Sequence, residues 1–435
     1  MSLFLLLVAV PFWSSAASLL LTNGVIHTVS GEDLSPGQVL VQDGVIKAVG
    51  TELAAENSEV LDLKGLHLYP GLISLDTTLG LTEISGVRAT QDAVESGEFT
   101  PDVESWIAVS PDSELIPVAR ANGIAYFEPV PQGGIVSGQS GLVTVEGWTT
   151  EQRTIRKPMA LHFFWPNMDL DLRPRRPGGP PDPKYKNVEE QGRERRRKVR
   201  AAAEFFEDAR AYARAKEAAA KETGPVFEVI PAWEAMLPFI RGELPITVHA
   251  DEVRQIRSAV AWAATNRYKV YLAGGRDAWM SSGLLASNGI PVIYSRTFDL
   301  PTRDTEPYDV HYRTPALLHK AGVKVIFSGG SESMSASFVR NLPYIAAQAA
   351  AFGLPPAEAL RGITLYPAQL AGASDKLGSI EPGKIATFFV ADGNILDIRS
   401  NVKRMWIAGR EINLESRHTR LYQKYKNRPR ESPGE

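Results

Sequence analysis

The 435-residue sequence predicts an α/β chain, a TIM-like (β/α)8 barrel with a small β-domain built from both ends. Three observations predict it. Short alternating strands broken by turns follow position 18 and recur near the other end. Between them, short β-branched strands alternate with helical stretches from 70 to about 372. The length suits a barrel with an accessory domain better than one compact layer. Two strand-rich pieces at opposite ends form one domain only if the middle leaves and returns as a closed unit.

Taken in order, 3–12 is an apolar run followed by the small residues Ser14, Ser15, Ala16 and Ala17. That pattern predicts a cleavable export signal over 1–17, and so a periplasmic or extracellular protein. No Lys or Arg precedes the run, and an uncleaved membrane anchor or a buried strand is the alternative. Leu20, Thr22 and Ile26, then Val39 and Val41, then Val45, Ile46 and Val49 read as three strands. Asp43-Gly44 between the last two is a tight-turn dipeptide, because Gly accepts positive φ. In the middle, 123–130 and 245–249 read as buried strands, the second followed by a helix through Val253, Ile256, Val260 and Ala264. The stretches 269–272, 289–294 and 322–327 repeat the pattern, and 385–390 with 402–407 return to terminal strands. A Pro/Arg-rich and helical insertion, 167–224, stands apart. Its helix has a narrow apolar side through Ala202, Phe206 and Ala209, and its basic run 193–200 reads as a solvated face rather than an anion site.

Composition excludes several functions. Net charge is −3, so no general attraction to nucleic acid is expected. The chain has no cysteine, which excludes disulfides, thiolate metal sites and cysteine nucleophiles. A small-molecule substrate or ligand is the expected partner, and a homo-oligomer stays open.

The residues also carry a resemblance. Gly65-Leu66-His67-Leu68-Tyr69-Pro70-Gly71-Leu72-Ile73 resembles the entry into the first barrel strand of amidohydrolases related to imidazolonepropionase. Leu377-Gly378-Ser379-Ile380-Glu381-Pro382-Gly383-Lys384 resembles their exit into the second half of the small domain. Ala359-Leu360, Thr364 and Pro367-Ala368 look like their final helix, and Gly133-Gly134 through Ser140 like a subgroup of exported bacterial members. The resemblance implies a β-sandwich from 18–69 and 377–415, a barrel over 70–376 and a charged tail over 416–435. It implies hydrolysis of carbon–nitrogen bonds in a small amide, cyclic amide or dipeptide. It further implies one divalent metal, zinc by resemblance, held by His-x-His after the first strand, a His ending the fifth, often a His ending the sixth, and an Asp ending the eighth.

Those positions fall here on Asp76 and Thr78, His249, Ala273 and Gly330. Asp76 and His249 are therefore the candidate catalytic residues and metal ligands, and a metal site is expected to be reduced or absent. Ser328, Ser331 and Glu332, in a Gly/Ser loop after the eighth strand, are candidate substrate contacts. His311, after the seventh strand, is another. His27, His67, His162, His319 and His418 read as core or surface residues. Glu83, Asp251 and Glu252 read as capping or surface charges. Three functions stay open: a weak metal-assisted hydrolase, a catalytically inactive binding or scaffolding protein, and metal-free hydrolysis using Asp76 or Glu332 as base with His249.

Overall fold

Strand β1 (Ser18–Ile26) pairs antiparallel with β2 (Leu34–Gln42), which pairs antiparallel with β3 (Val45–Gly50). Asp43 and Gly44, at φ +52° and +76°, make the tight turn the dipeptide predicts. On the other side of β1 lie β4 (Glu59–Asp62) and β5 (His67–Pro70), both parallel to it. The computed structural model describes residues 18–54, 57–172, 186–221 and 227–428. The expected signal at 1–17 and the Pro/Arg-rich stretch 173–183 lie outside the described residues. No described helix is long and apolar enough to cross a membrane.

The chain then enters the barrel through β6 (Leu72–Thr77), β7 (Ile124–Pro129), β8 (Val136–Thr144), β9 (Thr154–Phe164), β10 (Ile246–Ala250), β11 (Val270–Gly274), β12 (Val292–Tyr294) and β13 (Val325–Phe327). These eight are hydrogen-bonded neighbour to neighbour in chain order. It leaves into β14 (Phe388–Ala391), β15 (Val402–Ile407) and β16 (Arg410–Glu411), which rejoin the terminal sheet where β14 pairs with β5. That sheet rolls around its own core of Leu21, Ile26, Val39, Phe388 and Trp406. Its far edge is tied back by Ile46 N–H to Lys384 O and Ala386 N–H to Gly44 O, both 2.8 Å. The barrel and the separate terminal sheet are thus the predicted architecture.

One strand departs from the expected alternation. β8 runs antiparallel to both neighbours, so strands two to four form a meander and the loop before β8, not after it, opens at the site end. Glycines make room for this: a Cβ on Gly134 (φ +67°) would lie 2.7 Å from Gly97 O, and one on Gly138 (φ +124°) 2.7 Å from Val103 O. The Gly133–Gly134 and Ser137–Ser140 segments thus pack against the chain at 94–104 through bridges at Val94, Phe99 and Glu104.

The ring closes without a ladder between β13 and β6 among the described residues. Instead, Phe327 N–H donates to Gly362 O (3.0 Å) and Ile73 N–H to Ile363 O (2.9 Å). The expected final helix is accordingly two short ones, Pro356–Arg361 and Leu365–Leu370, because the turn between them spends its carbonyls on the barrel. A Cβ on Gly362 would meet the Phe327 ring at 2.8 Å, so the close approach needs glycine there.

In the insertion, the helix Val188–Ala219 starts with an Asn187/Glu190 capping box and buries Ala202, Phe206, Ala209 and Tyr212. Phe206 packs edge-on to Trp262 and tilted against Phe163, which pins the helix to the barrel wall. Its basic run pairs with nearby acids, Arg193 with Glu189 at 2.8 Å and Lys198 with Glu194 at 3.7 Å. The solvated reading fits.

Candidate functional site

Asp76 is the fifth of six residues in β6 and adopts φ +52°, in the left-handed region. The pairing of β6 with β7 slips between Ser74 and Thr77, and this irregularity turns the Asp76 side chain into the barrel mouth. Two contacts hold the conformation: Asp76 N–H donates to Glu128 Oε2 (3.1 Å), and Ser328 Oγ donates to Asp76 O (2.9 Å). The side chain is buried, and its Oδ1 has no hydrogen-bond partner among the described residues.

Glu128, near the end of β7, is fully buried and accepts from Ser140 Oγ at 2.6 Å. His162 on β9 is fully buried too, with Nε2 3.3 Å from Glu128 Oε1, close in distance but not aligned as a hydrogen bond. His162 Nδ1 meets His249 Nε2 at 2.9 Å, and His249 Nδ1 faces Asp76 Oδ1 at 3.9 Å. The His249 ring stacks on Phe164, centroids 4.0 Å apart and 9° from parallel. A continuous line of titratable groups therefore runs from Glu128 through His162 and His249 to Asp76.

Burial sets the chemistry of this line. Removal from water, with repulsion from Glu128 and Glu332, pushes the Asp76 carboxyl up to about 7, against the pull of Ser331 and His162. Burial holds His249 well below its ordinary value, and His162 and Arg296 add to the effect, so its imidazole is neutral at pH 7. Asp76 and His249 line a cavity of about 230 Å³ at the C-terminal end of the strands, together with Gln132, Trp165, Arg296, Ser331 and Glu332. Arg296 is fixed in the wall by Asp251, which accepts from Nε at 2.9 Å and from Nη2 at 2.7 Å, and by Glu332 at 2.8 Å from Nη1. Burial would lower this guanidinium, but Asp251 and Glu332 outweigh it and hold it raised.

The structure brings Asp76, His249, Ser331 and Glu332 together. Ser328 is buried behind them, holding the Asp76 carbonyl and accepting from Gly330 N–H at 2.8 Å. His311 does not line the cavity; it is buried on the helix Val310–Lys320 beneath the Tyr294 hydroxyl. Glu252 caps the helix Val253–Asn266, and Glu83 accepts from Ser113 Oγ at 2.6 Å; neither lines the cavity.

Sequence reasoning missed three members. His162 reads as a core residue, yet it is the partner that orients His249. Glu128 and Arg296 drew no attention. The signal for one of them was present: Glu128 is the charged group on a strand otherwise free of charge, and a buried polar group without an evident partner in sequence has one in space.

The other positions implied by the resemblance bring few donors. Thr78 is buried with Oγ1 donating to Glu332 O at 3.4 Å, Ala273 is buried on β11, and Gly330 has no side chain. Among the described residues, no group of three or more His, Cys, Asp or Glu side chains converges as a metal-holding set.

Comparison with known proteins completes the description. The amidohydrolase family matches residues 156–412, more than half of the sequence. The chain belongs to the amidohydrolase family. The amidohydrolase tasK of Hapsidospora irregularis is 21% identical over 401 residues, which are 86% of this chain and 39% of that protein. A dihydroorotase of Streptomyces coelicolor is 30% identical over 125 residues, 26% of this chain and 28% of that protein. The chain thus spans about two-fifths or less of the length of these relatives. The solved structure of an amidohydrolase from Thermotoga maritima MSB8 superposes with a TM-score of 0.77 at 25% identity, covering 91% of this chain and 99% of that one. Amidohydrolases usually hold a divalent metal such as zinc. An adenosine deaminase from Xanthomonas campestris, of the same fold (TM-score 0.51, 16% identity, 91% of this chain and 92% of that one), was solved with zinc bound.

Proposed function

We propose that this amidohydrolase cleaves a carbon–nitrogen bond in a small amide, cyclic amide or dipeptide, with Asp76 moving the proton and no tightly held metal. The observation that carries the reading is the buried, unpartnered Oδ1 of Asp76, on a residue that lines a cavity of about 230 Å³ and on a carboxyl pushed up to about 7. A general base works best when its proton affinity matches the working pH. Above pH 7 the carboxylate takes a proton from a water in the cavity, which attacks the carbonyl carbon. As the tetrahedral intermediate collapses, Asp76 returns that proton to the leaving nitrogen. Arg296, locked by Asp251, supplies fixed positive charge in the wall for the oxyanion that develops between the two steps. His249, held by His162 and stacked on Phe164, fixes the wall facing Asp76.

A resident zinc does not fit this donor set. Asp76 Oδ1 and His249 Nδ1 are 3.9 Å apart, close enough to share one ion, but a catalytic zinc takes three protein ligands. Ala273 and Gly330 offer none, the Thr78 hydroxyl is turned to a carbonyl, and the Arg296 guanidinium faces the same cavity. Gly330, standing where the resemblance places an Asp, favours a second reading in which the mouth binds its ligand without turnover. The apolar run 3–12 with the small residues after it supports placing this work outside the cytoplasm.

The test is hydrolysis of a panel of N-acyl amino acids, cyclic ureides and dipeptides by untagged protein, with metal per chain measured alongside. Turnover that survives chelation and disappears in Asp76→Asn is the expected result. Turnover that requires added zinc, with about one ion retained per chain, rules out the metal-free mechanism. Ligand binding without turnover establishes the second reading.

A further inference from the structure

A second line of titratable groups lies far from the barrel mouth, between the terminal sheet and the barrel. Asp33 Oδ2 accepts from His27 Nδ1–H at 2.6 Å, and His27 Nε2 meets His67 Nδ1 at 2.9 Å. The two imidazole centroids are 5.2 Å apart with planes within 11°. That separation is taken up by the 2.9 Å contact and the two ring radii, so the rings lie edge to edge, each nitrogen aimed at the other. A metal ion has no place between nitrogens that point at one another. Tyr69 stacks beneath His27 at 4.2 Å and holds the arrangement flat.

The order of protons along this line is fixed from one end. A carboxylate only accepts, so His27 Nδ1 carries hydrogen and His27 Nε2 is a lone pair. His67 Nδ1 must then donate to it, which leaves the lone pair of that ring on His67 Nε2. Burial holds both imidazoles below their ordinary range, so both are neutral at pH 7. Among the described residues no hydrogen bond uses His67 Nε2.

His67 lines a cavity of about 270 Å³. Its walls are largely apolar, with Val29, Pro356, Leu360 and Leu396 contributing, and Arg361 and Asp33 also border it. Val29 adopts φ +71°, which a β-branched residue rarely does, and its carbonyl accepts from Arg361 Nε at 3.2 Å. Such strain persists where the surroundings over-determine it, and it concentrates at functional sites. The charges at the border are already engaged, Arg361 with Glu358 at 2.5 Å and Asp33 with His27 at 2.6 Å, so neither calls for an ion in the cavity. An apolar cavity of about 150 Å³ is enough to take up benzene.

We propose that this cavity is a second ligand site for a small uncharged molecule, mostly apolar, with one O–H donor given to His67 Nε2: an alcohol or phenol. The site is independent of the barrel mouth and of any turnover there.

The probes are p-cresol and its methyl ether, which share shape but differ in the single donor. Binding of each to the full chain is measured by isothermal titration calorimetry. The expected result is p-cresol binding about five-fold or more tighter than the ether. His67→Phe should bring the two probes to equal affinity, and Leu360→Trp, which fills the cavity, should abolish both. Equal binding of the two probes to the unmodified protein overturns the proposal, as does no binding of p-cresol, and neither result depends on a variant folding. Binding that survives Leu360→Trp in a protein with an unchanged melting curve overturns the location.

Discussion

The two histidine pairs invite comparison. Each is an imidazole–imidazole contact of 2.9 Å, and each has a carboxylate behind it. In the terminal sheet that carboxylate is Asp33, about half exposed at 52%; in the barrel it is Glu128, fully buried with its histidine. Water helps to hold the charge of Asp33. At Glu128 the charge rests on a hydroxyl and a backbone amide, and the field it sets up reaches Asp76. The same three functional groups thus make a local tautomer lock in one place and a tuned acid in the other. The difference is the surroundings, not the length of the hydrogen bond.

The largest expected effect tests the tuned acid directly. Asp76→Asn should lower turnover by roughly 10²- to 10⁴-fold, the usual worth of a positioned base. Asn tolerates the left-handed backbone at this position better than other replacements, so the loss reports chemistry rather than distortion. A turnover within a few-fold of the unmodified protein, measured on the same substrate, would remove Asp76 from the mechanism.

The next effect is on stability against pH. Asp76 moves from an ordinary 3.8 to about 7 on folding, so the folded chain holds that proton more tightly than the unfolded one. Its contribution is full below pH 4 and is lost as pH rises to 7, by roughly 4 kcal/mol at about 1.4 kcal/mol per unit. Asp76→Asn should flatten this slope and be the more stable protein at pH 8, read as urea midpoints across the range. Parallel slopes in the two proteins would show that burial does not tune this acid.

Replacing the carboxylates gives the remaining contrast. Glu128→Leu leaves Ser140 Oγ and the Asp76 amide without their acceptor and should cost about 2–4 kcal/mol. Asp33→Asn, half in water, should cost about 1 kcal/mol or less. Equal losses in urea unfolding would mean that the two environments differ less than their exposure indicates.

Much of the scaffold was legible in the sequence. The Asp43-Gly44 turn, the strands around Val39, His249 and Val402, and the apolar side of the helix through Phe206 were each visible, because turn chemistry and periodicity are local properties. Asp76 and His249 were legible as a pair through motif position. The rest was not, because it depends on which side chains meet across strands far apart in sequence. Nothing local told His162 from a core histidine, since its role comes from Glu128, 34 positions earlier, and His249, 87 later. The reversed β8 was hidden as well. Ser137, Gly138, Gln139, Ser140 and Gly141 sit in the middle of β8, so no apolar period marked it as a strand, and strand direction leaves no local mark of its own.

The barrel's closing seam has a bearing on how this protein fails. Last strand and first are joined by two carbonyls of a helix-breaking turn and by the Ser328 hydroxyl, which grips the backbone of Asp76 itself. Here a bond of the one seam without a ladder among the described residues falls on the carbonyl of the acid itself, so a loosening of that seam under heat or denaturant should silence the mouth with it.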